Sequence, residues 1–444
     1  MISTNIDHLP SSSTLGIQLP VAVHVPWRIW GIWWLVLVLV FTVFFASIDF
    51  APILFQDEVM NVDLGRTILN ADTDWSIAWM ANENRPVFLL SYVGPVLQEF
   101  AYLSIGEVGP RVSGLVGAFV AATAIVGWLL ARGLSYKVSF ILGIVFLLDP
   151  LFVQAYTTAR VDGWTMALCI SSCWILRTNA LGFQHEGYNR LFVVISGALT
   201  ALAFFVWPSA VFLFPLILLE LFYRANRLAG EGWNLKLWPF LYFGIGGFIM
   251  GGIMIIPIAL QVIEMFESIV KALIINVQPG NEIRTSYLDE KLATSLELLR
   301  VLKFTPVLFL TAIFGAFQYR QIGLGIACLT ATALLISTVV YISRVQYLLP
   351  YFILAASVVY QLKEHPKTKP RARFPKMAVA VLTLLVAWPV AFSFFSRTMV
   401  ALGERGERDS TLMHKAAISM IGTGEHTVAL FSSFEFYYAG RSIG

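Results

Sequence analysis

Charge is what this chain has least of. Only 13% of its 444 residues are Asp, Glu, Lys or Arg, against 58% hydrophobic residues. That balance excludes a soluble globular domain and a disordered chain alike. Cysteine is nearly absent, and Cys169, Cys173 and Cys328 all fall inside apolar runs, so no disulfide framework is encoded. Cys169 and Cys173 share a helix face at i and i+4 and read as small buried apolar residues. The six histidines are scattered, with His8, His24, His185 and His365 in segments assigned below to the cytoplasmic side, and His414 and His426 near the carboxyl terminus. They form no zinc set. There is no glycine-rich phosphate loop, no dinucleotide fingerprint and no repeat of fixed period, which excludes an ATP or nucleotide-sugar domain and a repeat array.

Long hydrophobic runs are what the chain does have. Stretches near the length of about 20 residues that crosses a bilayer core as a helix recur near 29–48, 110–131, 138–156, 161–176, 191–206, 209–223, 238–260, 304–318, 322–342, 345–361 and 377–396. The predicted fold class is therefore an all-α polytopic membrane protein with about 11 transmembrane helices. With a cytoplasmic amino terminus, Arg132 and Lys137, Arg177 and Arg190, Arg224, Arg227 and Lys236, Arg320, and the run Lys363 to Lys376 all fall inside, as the loop-charge bias requires. The last run reads as a topology signal and a contact for anionic membrane lipids, not a nucleic-acid site.

This topology predicts a cytoplasmic tail over 1–27, a transmembrane module over 28–396 with long outer loops at 50–105 and 261–303, and an extracytoplasmic tail over 397–444. The polar start is no secretory signal, because the apolar run after Arg28 is nearly twice the usual length; it predicts a retained first span. The protein is expected in the cell membrane, with its chemistry on the outer face.

The first outer loop is too long for a connector. Val59 to Leu69 and Val87 to Ile105 carry helical periodicity, with Trp75, Trp79, Tyr92 and Tyr102 suited to the headgroup zone, so two interfacial helices are expected there. Asp57 and Glu58 stand at the junction of the first span with the first of these helices. Asp57 has a structural reading as the cap of a helix beginning near Val59. Other charges gather on the same side, however: Asp149, Arg160 and Asp162 at span ends, Arg284 and Lys303 around the second outer loop, and Arg344 with Tyr347 at the start of the tenth span. Ionisable groups at such places are functional candidates.

Arginines bind phosphate through paired charge-assisted hydrogen bonds, and a nearby carboxylate accepts a proton from an attacking hydroxyl or amine. That set suits a lipid-linked phosphate substrate. No metal is required, although the carboxylates offer ligands for a hard divalent ion. A transporter or lipid flippase is the alternative, but it would place charges near the bilayer midplane and show repeated halves. Phe434-Glu435-Phe436-Tyr437-Tyr438, near Arg441, reads either as a cover over the site or as core packing.

Several short motifs resemble those of the GT-C glycosyltransferases that use polyprenyl-phosphate sugars, in particular the protein O-mannosyltransferase and lipid A aminoarabinose transferase branch. Phe55-Gln56-Asp57-Glu58 is similar to the Asp-Glu pair that follows the first span. Gly109-Pro110-Arg111-Val112-Ser113-Gly114-Leu115-Val116-Gly117 resembles the start of the second span, and Asp149-Pro150 and Ala159-Arg160-Val161-Asp162 resemble a later Asn/Asp-Pro and Ala-Arg-x-Asp. Arg344-Val345-Gln346-Tyr347-Leu348-Leu349-Pro350 looks like a late Arg-Tyr-Leu-Leu-Pro interrupted by Val345 and Gln346. The likeness runs from about residue 28 to 361.

The resemblance implies a GT-C type bundle and an inverting hexosyl or pentosyl transferase. Its implied partners are a polyprenyl-phosphate sugar donor, a lipid or glycan acceptor and membrane lipids. Asp57 would be the catalytic base and Glu58 its positioning partner. Arg160 and Arg344 would bind the donor phosphate, Asp162 would shape the sugar pocket, and Tyr347, Arg284 and Lys303 would complete the donor site.

Overall fold

The computed structural model describes residues 27–48, 56–70, 90–178, 186–228, 233–264, 266–267, 287–302, 304–305, 309–310, 313, 322–337, 342–361, 376–404, 406, 410–421, 437–438 and 441. Among these there are helices and no strands. Helices α1 (Trp27–Ala46), α2 (Gln56–Leu69), α3 (Val93–Ile105), α4 (Gly109–Ala131), α5 (Tyr136–Leu147), α6 (Pro150–Thr157), α7 (Asp162–Arg177), α8 (Glu186–Val206), α9 (Phe214–Leu228) and α10 (Trp233–Ile255) build the amino-terminal part of the bundle. Helices Tyr287–Leu302, Ile322–Ser337, Leu349–Gln361, Lys376–Gly403 and Ser410–Ile421 follow.

Among the described residues, five stretches of helix are long and apolar enough to cross a membrane, or six if the bent pair α5 and α6 is one span. Other predicted spans are shorter as helices, such as Ile322–Ser337, or fall partly outside the described residues, as 304–318 does. Their apolar residues face outward: Phe248 on α10 is 84% exposed, and Ile32, Trp34, Leu35, Val38 and Leu39 on α1 are exposed too. A helix apolar on its outer surface needs lipid against that surface.

The span expected over 138–156 is broken. Asp149 caps α6 by accepting from the Leu151 backbone N–H at 3.0 Å, Pro150 follows at the first helical position, and α5 and α6 meet at 57°. Proline cannot continue α5 but suits the start of α6. The predicted boundary at 397 also falls inside a helix, because Lys376–Gly403 runs through it.

Close packing of α4 on α7 organises the core. A Cβ on Gly117 would lie 2.8 Å from the Trp164 nitrogen, and one on Gly163 would lie 2.9 Å from the Gly114 carbonyl oxygen. Small residues let the two backbones meet and bring the start of α7 against the start of α4.

Among its described residues the 50–105 segment contains two helices, α2 and α3, as expected. α2 begins at Gln56, earlier than its periodicity suggests, and is buried almost all round: Glu58, Val59, Met60, Val62, Asp63 and Leu64 are each 1% exposed or less. α3 is inside-out. Gln98 and Glu99 are buried, while Phe100, Leu103 and Ile105 are more than half exposed. Such a helix keeps its polar groups for internal partners and offers its apolar face to lipid.

Candidate active site

Asp57 lies in the first turn of α2. The structure does not use it as a cap; its Oδ2 meets Nη1 of Arg160, 103 residues later in the chain. Arg160 in turn gives its Nε hydrogen to Asp162 Oδ2 at 2.7 Å. The other oxygen of Asp162 accepts from the Tyr347 hydroxyl at 2.7 Å. One guanidinium thus stands between two carboxylates, and a phenol fixes the second of them.

Exposure separates the two carboxylates. The side chain of Asp57 is 35% exposed, that of Asp162 only 1%. Asp57 is open to a reactant, and Asp162 is sealed behind Arg160. Burial acts to lower the pKa of the Arg160 guanidinium, but the charges of Asp162 and Asp57 outweigh it and hold the value above the ordinary one. Arg160 is therefore a permanent cation.

Arg160 reaches this position through an unusual backbone. Ala159 has φ of 52°, left-handed geometry that a residue with a Cβ seldom adopts and that recurs at functional sites. Its carbonyl accepts a 2.7 Å hydrogen bond from the Gln98 side-chain amide on α3.

Glu58 points the other way. Arg111 Nε lies 3.0 Å from both of its oxygens, Nη2 is 3.0 Å from Oε2, and Nη1 donates to the Ile48 carbonyl at 2.6 Å. Both side chains are buried, so neither reaches solvent, and the pair fixes α2 to the end of α1 and the start of α4. The Tyr438 hydroxyl lies 3.5 Å from Glu58 Oε1. Tyr437 and Tyr438 are therefore at the site, buried against α2, while Phe434, Glu435 and Phe436 lie outside the described residues.

Of the residues predicted from the sequence, Asp57, Arg160, Asp162 and Tyr347 form one connected network, and Glu58 adjoins it on a separate arginine. Arg344, half-buried, lies one turn before Tyr347 in the short helix Ile342–Val345. Arg284 and Lys303 lie outside the described residues. Asp149, counted among the outer-face charges, is a helix cap. Sequence reasoning missed Arg111 as a partner of Glu58, although a basic residue at a span start on the side that disfavours them was a usable signal. Gln98 had no such signal. Among the described residues no group of three or more His, Cys, Asp or Glu side chains could hold a metal ion.

A membrane bundle with a broken helix, and with α2 and α3 between its first long apolar helix and α4, has the GT-C fold. It is shared with ArnT from Cupriavidus metallidurans. The crystal structure of that protein bound to undecaprenyl phosphate matches over 92% of this chain and 84% of its own, with TM-score 0.60 and 15% identity. Its apo structure matches over the same shares, with TM-score 0.57 and 16% identity. No protein-family model matches the sequence, and no curated protein does either. The likeness bears out the GT-C fold that the motifs implied.

Proposed function

We propose that this protein is an integral-membrane, inverting glycosyltransferase that moves a sugar from a polyprenyl-phosphate donor to a lipid or glycan acceptor on the extracytoplasmic face. The observation that carries the reading is the partly exposed Asp57 carboxylate held on Arg160, in a fold shared with a protein crystallised with undecaprenyl phosphate.

In this scheme the donor phosphate competes with Asp57 for the Arg160 guanidinium, with Arg344 as a second cation. Transfer of Arg160 to phosphate frees the Asp57 carboxylate. An acceptor hydroxyl or amine then attacks the anomeric carbon and passes its proton to Asp57, while the bond from that carbon to the phosphate oxygen breaks. The polyprenyl phosphate leaves with its new charge on the arginines. Attack from the face opposite the leaving group inverts the sugar. Asp162 and Tyr347 keep Arg160 in place, and Arg284 and Lys303 are further donor-site candidates. The scheme requires no metal, since Arg160 supplies positive charge between the carboxylates; transfer assayed in EDTA and in added Mg²⁺ tests this.

The test is a transfer assay on purified protein, with radiolabelled undecaprenyl- and decaprenyl-phosphate sugars as donors and membrane lipids and glycans as acceptors. Label should move with wild type and not with Asp57→Asn. Folded wild type that moves no label from any donor, but carries lipid across liposome membranes, would replace the transferase reading with a flippase.

A further inference from the structure

The carboxyl-terminal residues return to the first outer loop across nearly the whole chain. Arg441 gives a two-point hydrogen bond to Glu99 on α3, at 2.6 and 2.7 Å. Its guanidinium also lies 4.0 Å from the centroid of the Tyr102 ring. Tyr438 stacks on the same Tyr102, with ring centroids 5.4 Å apart and planes within 10°. Its hydroxyl faces Glu58, while the Tyr437 hydroxyl donates to Asp63 Oδ1 at 3.2 Å. Tyr437, Tyr438, Val59 and Val62 share one small core. A buried two-point pair, a cation over a ring and a stacked phenol are more than a passing tail needs.

The neighbours of these contacts are the parts of the candidate site. Glu58 precedes the buried face of α2 and follows Asp57. Glu99 follows Gln98, whose amide holds the Ala159 carbonyl, and Ala159 is the left-handed residue before Arg160. Tyr437, Tyr438 and Arg441 therefore grip α2, which carries Asp57, and α3, whose Gln98 amide braces the backbone just before Arg160. α2 and α3 are also pressed together, because a Cβ on Gly65 would lie 2.2 Å from the Pro95 carbonyl oxygen. A displacement of either helix is felt by the other.

We propose that Tyr438 and Arg441 are positioning residues, and that together with Tyr437 they form a clasp that sets the distance between Asp57 and Arg160. The catalytic consequence rests on the transferase reading; the mechanical one does not. Arg441 touches neither carboxylate of the network, so it acts through Glu99 and α3. Tyr438 acts through Glu58 and α2.

Two measurements on the full chain test this, one of them free of any assumed reaction. In hydrogen exchange, Arg441→Gln and Glu99→Gln should each speed exchange about tenfold or more in peptides covering 60–68 and 158–165, with α8 unchanged. In the transfer assay each variant should lower kcat by about 10- to 100-fold, the range expected for a misplacement on the order of 1 Å, with donor KM within about threefold. The Arg441→Gln/Glu99→Gln double variant should be no worse than either single variant, because the pair acts as one unit. Tyr438→Phe, which keeps the stacking, should lose less kcat than Tyr438→Ala. If Arg441→Gln does not fold, Glu99→Gln, which leaves the cation over Tyr102, carries the comparison. Wild-type exchange in both peptides, or additive losses in the double variant, would overturn the clasp. Faster exchange in a chain whose wild type moves no sugar would support the clasp and remove only the transferase reading.

Discussion

The Tyr347 hydroxyl donates to Asp162 at 2.7 Å across 185 residues of sequence, and both side chains are fully enclosed. This bond connects the late Arg-x-x-Tyr motif to the Ala-Arg-x-Asp motif. Tyr347→Phe would leave one oxygen of a buried carboxylate without its donor, a loss of about 1–3 kcal/mol. The expected result is a lower unfolding midpoint in detergent and a weaker hold on Arg160. Unchanged stability in Tyr347→Phe would mean the bond carries no load.

The two carboxylates on Arg160 should respond differently to the same change. Asp57→Asn removes the exposed one, so turnover should fall by about 10²- to 10⁴-fold, the usual contribution of a general base, while undecaprenyl phosphate binding is kept. Asp162→Asn removes the sealed one and should weaken both folding and binding. Transfer rates with a lipid-phosphate binding assay separate the cases, and normal turnover in folded Asp57→Asn would end its assignment as base.

Glu58 and Arg111 form a buried pair with no solvent to replace a lost partner. Arg111→Met should destabilise by about 3–5 kcal/mol, because it strands a buried carboxylate. Arg111→Lys should recover little, since an ammonium cannot reproduce contacts to both Glu58 oxygens and the Ile48 carbonyl. Yield and unfolding temperature of the three proteins give the ranking.

Glycine and alanine should exchange with opposite results at two positions. Gly65→Ala drives a methyl into the Pro95 carbonyl at 2.2 Å, prising α2 from α3, so folding or transfer should be lost. Ala159→Gly relieves a left-handed φ of 52°, worth about 1–2 kcal/mol, against about 0.5–1 kcal/mol of extra chain entropy. Its unfolding midpoint should stay level or rise slightly; a clear drop would show that the Ala159 methyl itself packs.

The membrane class was legible in the apolar runs, because their length is set by the bilayer. Asp57, Arg160 and Asp162 were legible as individuals, because charge in an apolar chain is costly and therefore conspicuous, and Tyr347 was legible through its motif with Arg344. Breaks were harder to read: the Asp149-Pro150 bend interrupts a stretch whose composition is continuous, and only the capping geometry shows where α5 stops. The eleven-span pattern likewise rests on windows of hydropathy that do not register such bends.

Partnership was not in the sequence at all. Asp57 and Glu58 are neighbours with the same chemistry, yet successive helical residues face different directions, sending one to Arg160 and the other to Arg111. Gln98 and Glu99 are ordinary letters on a helix that packs its polar side inward, and Arg441 belongs to a tail whose contacts lie more than 300 residues away. Local spacing governs which side chains one helix presents, and the bilayer governs how long that helix is. Which helices then meet depends on close backbone approaches such as Gly163 against Gly114, and it is those approaches that made scattered charges into a site.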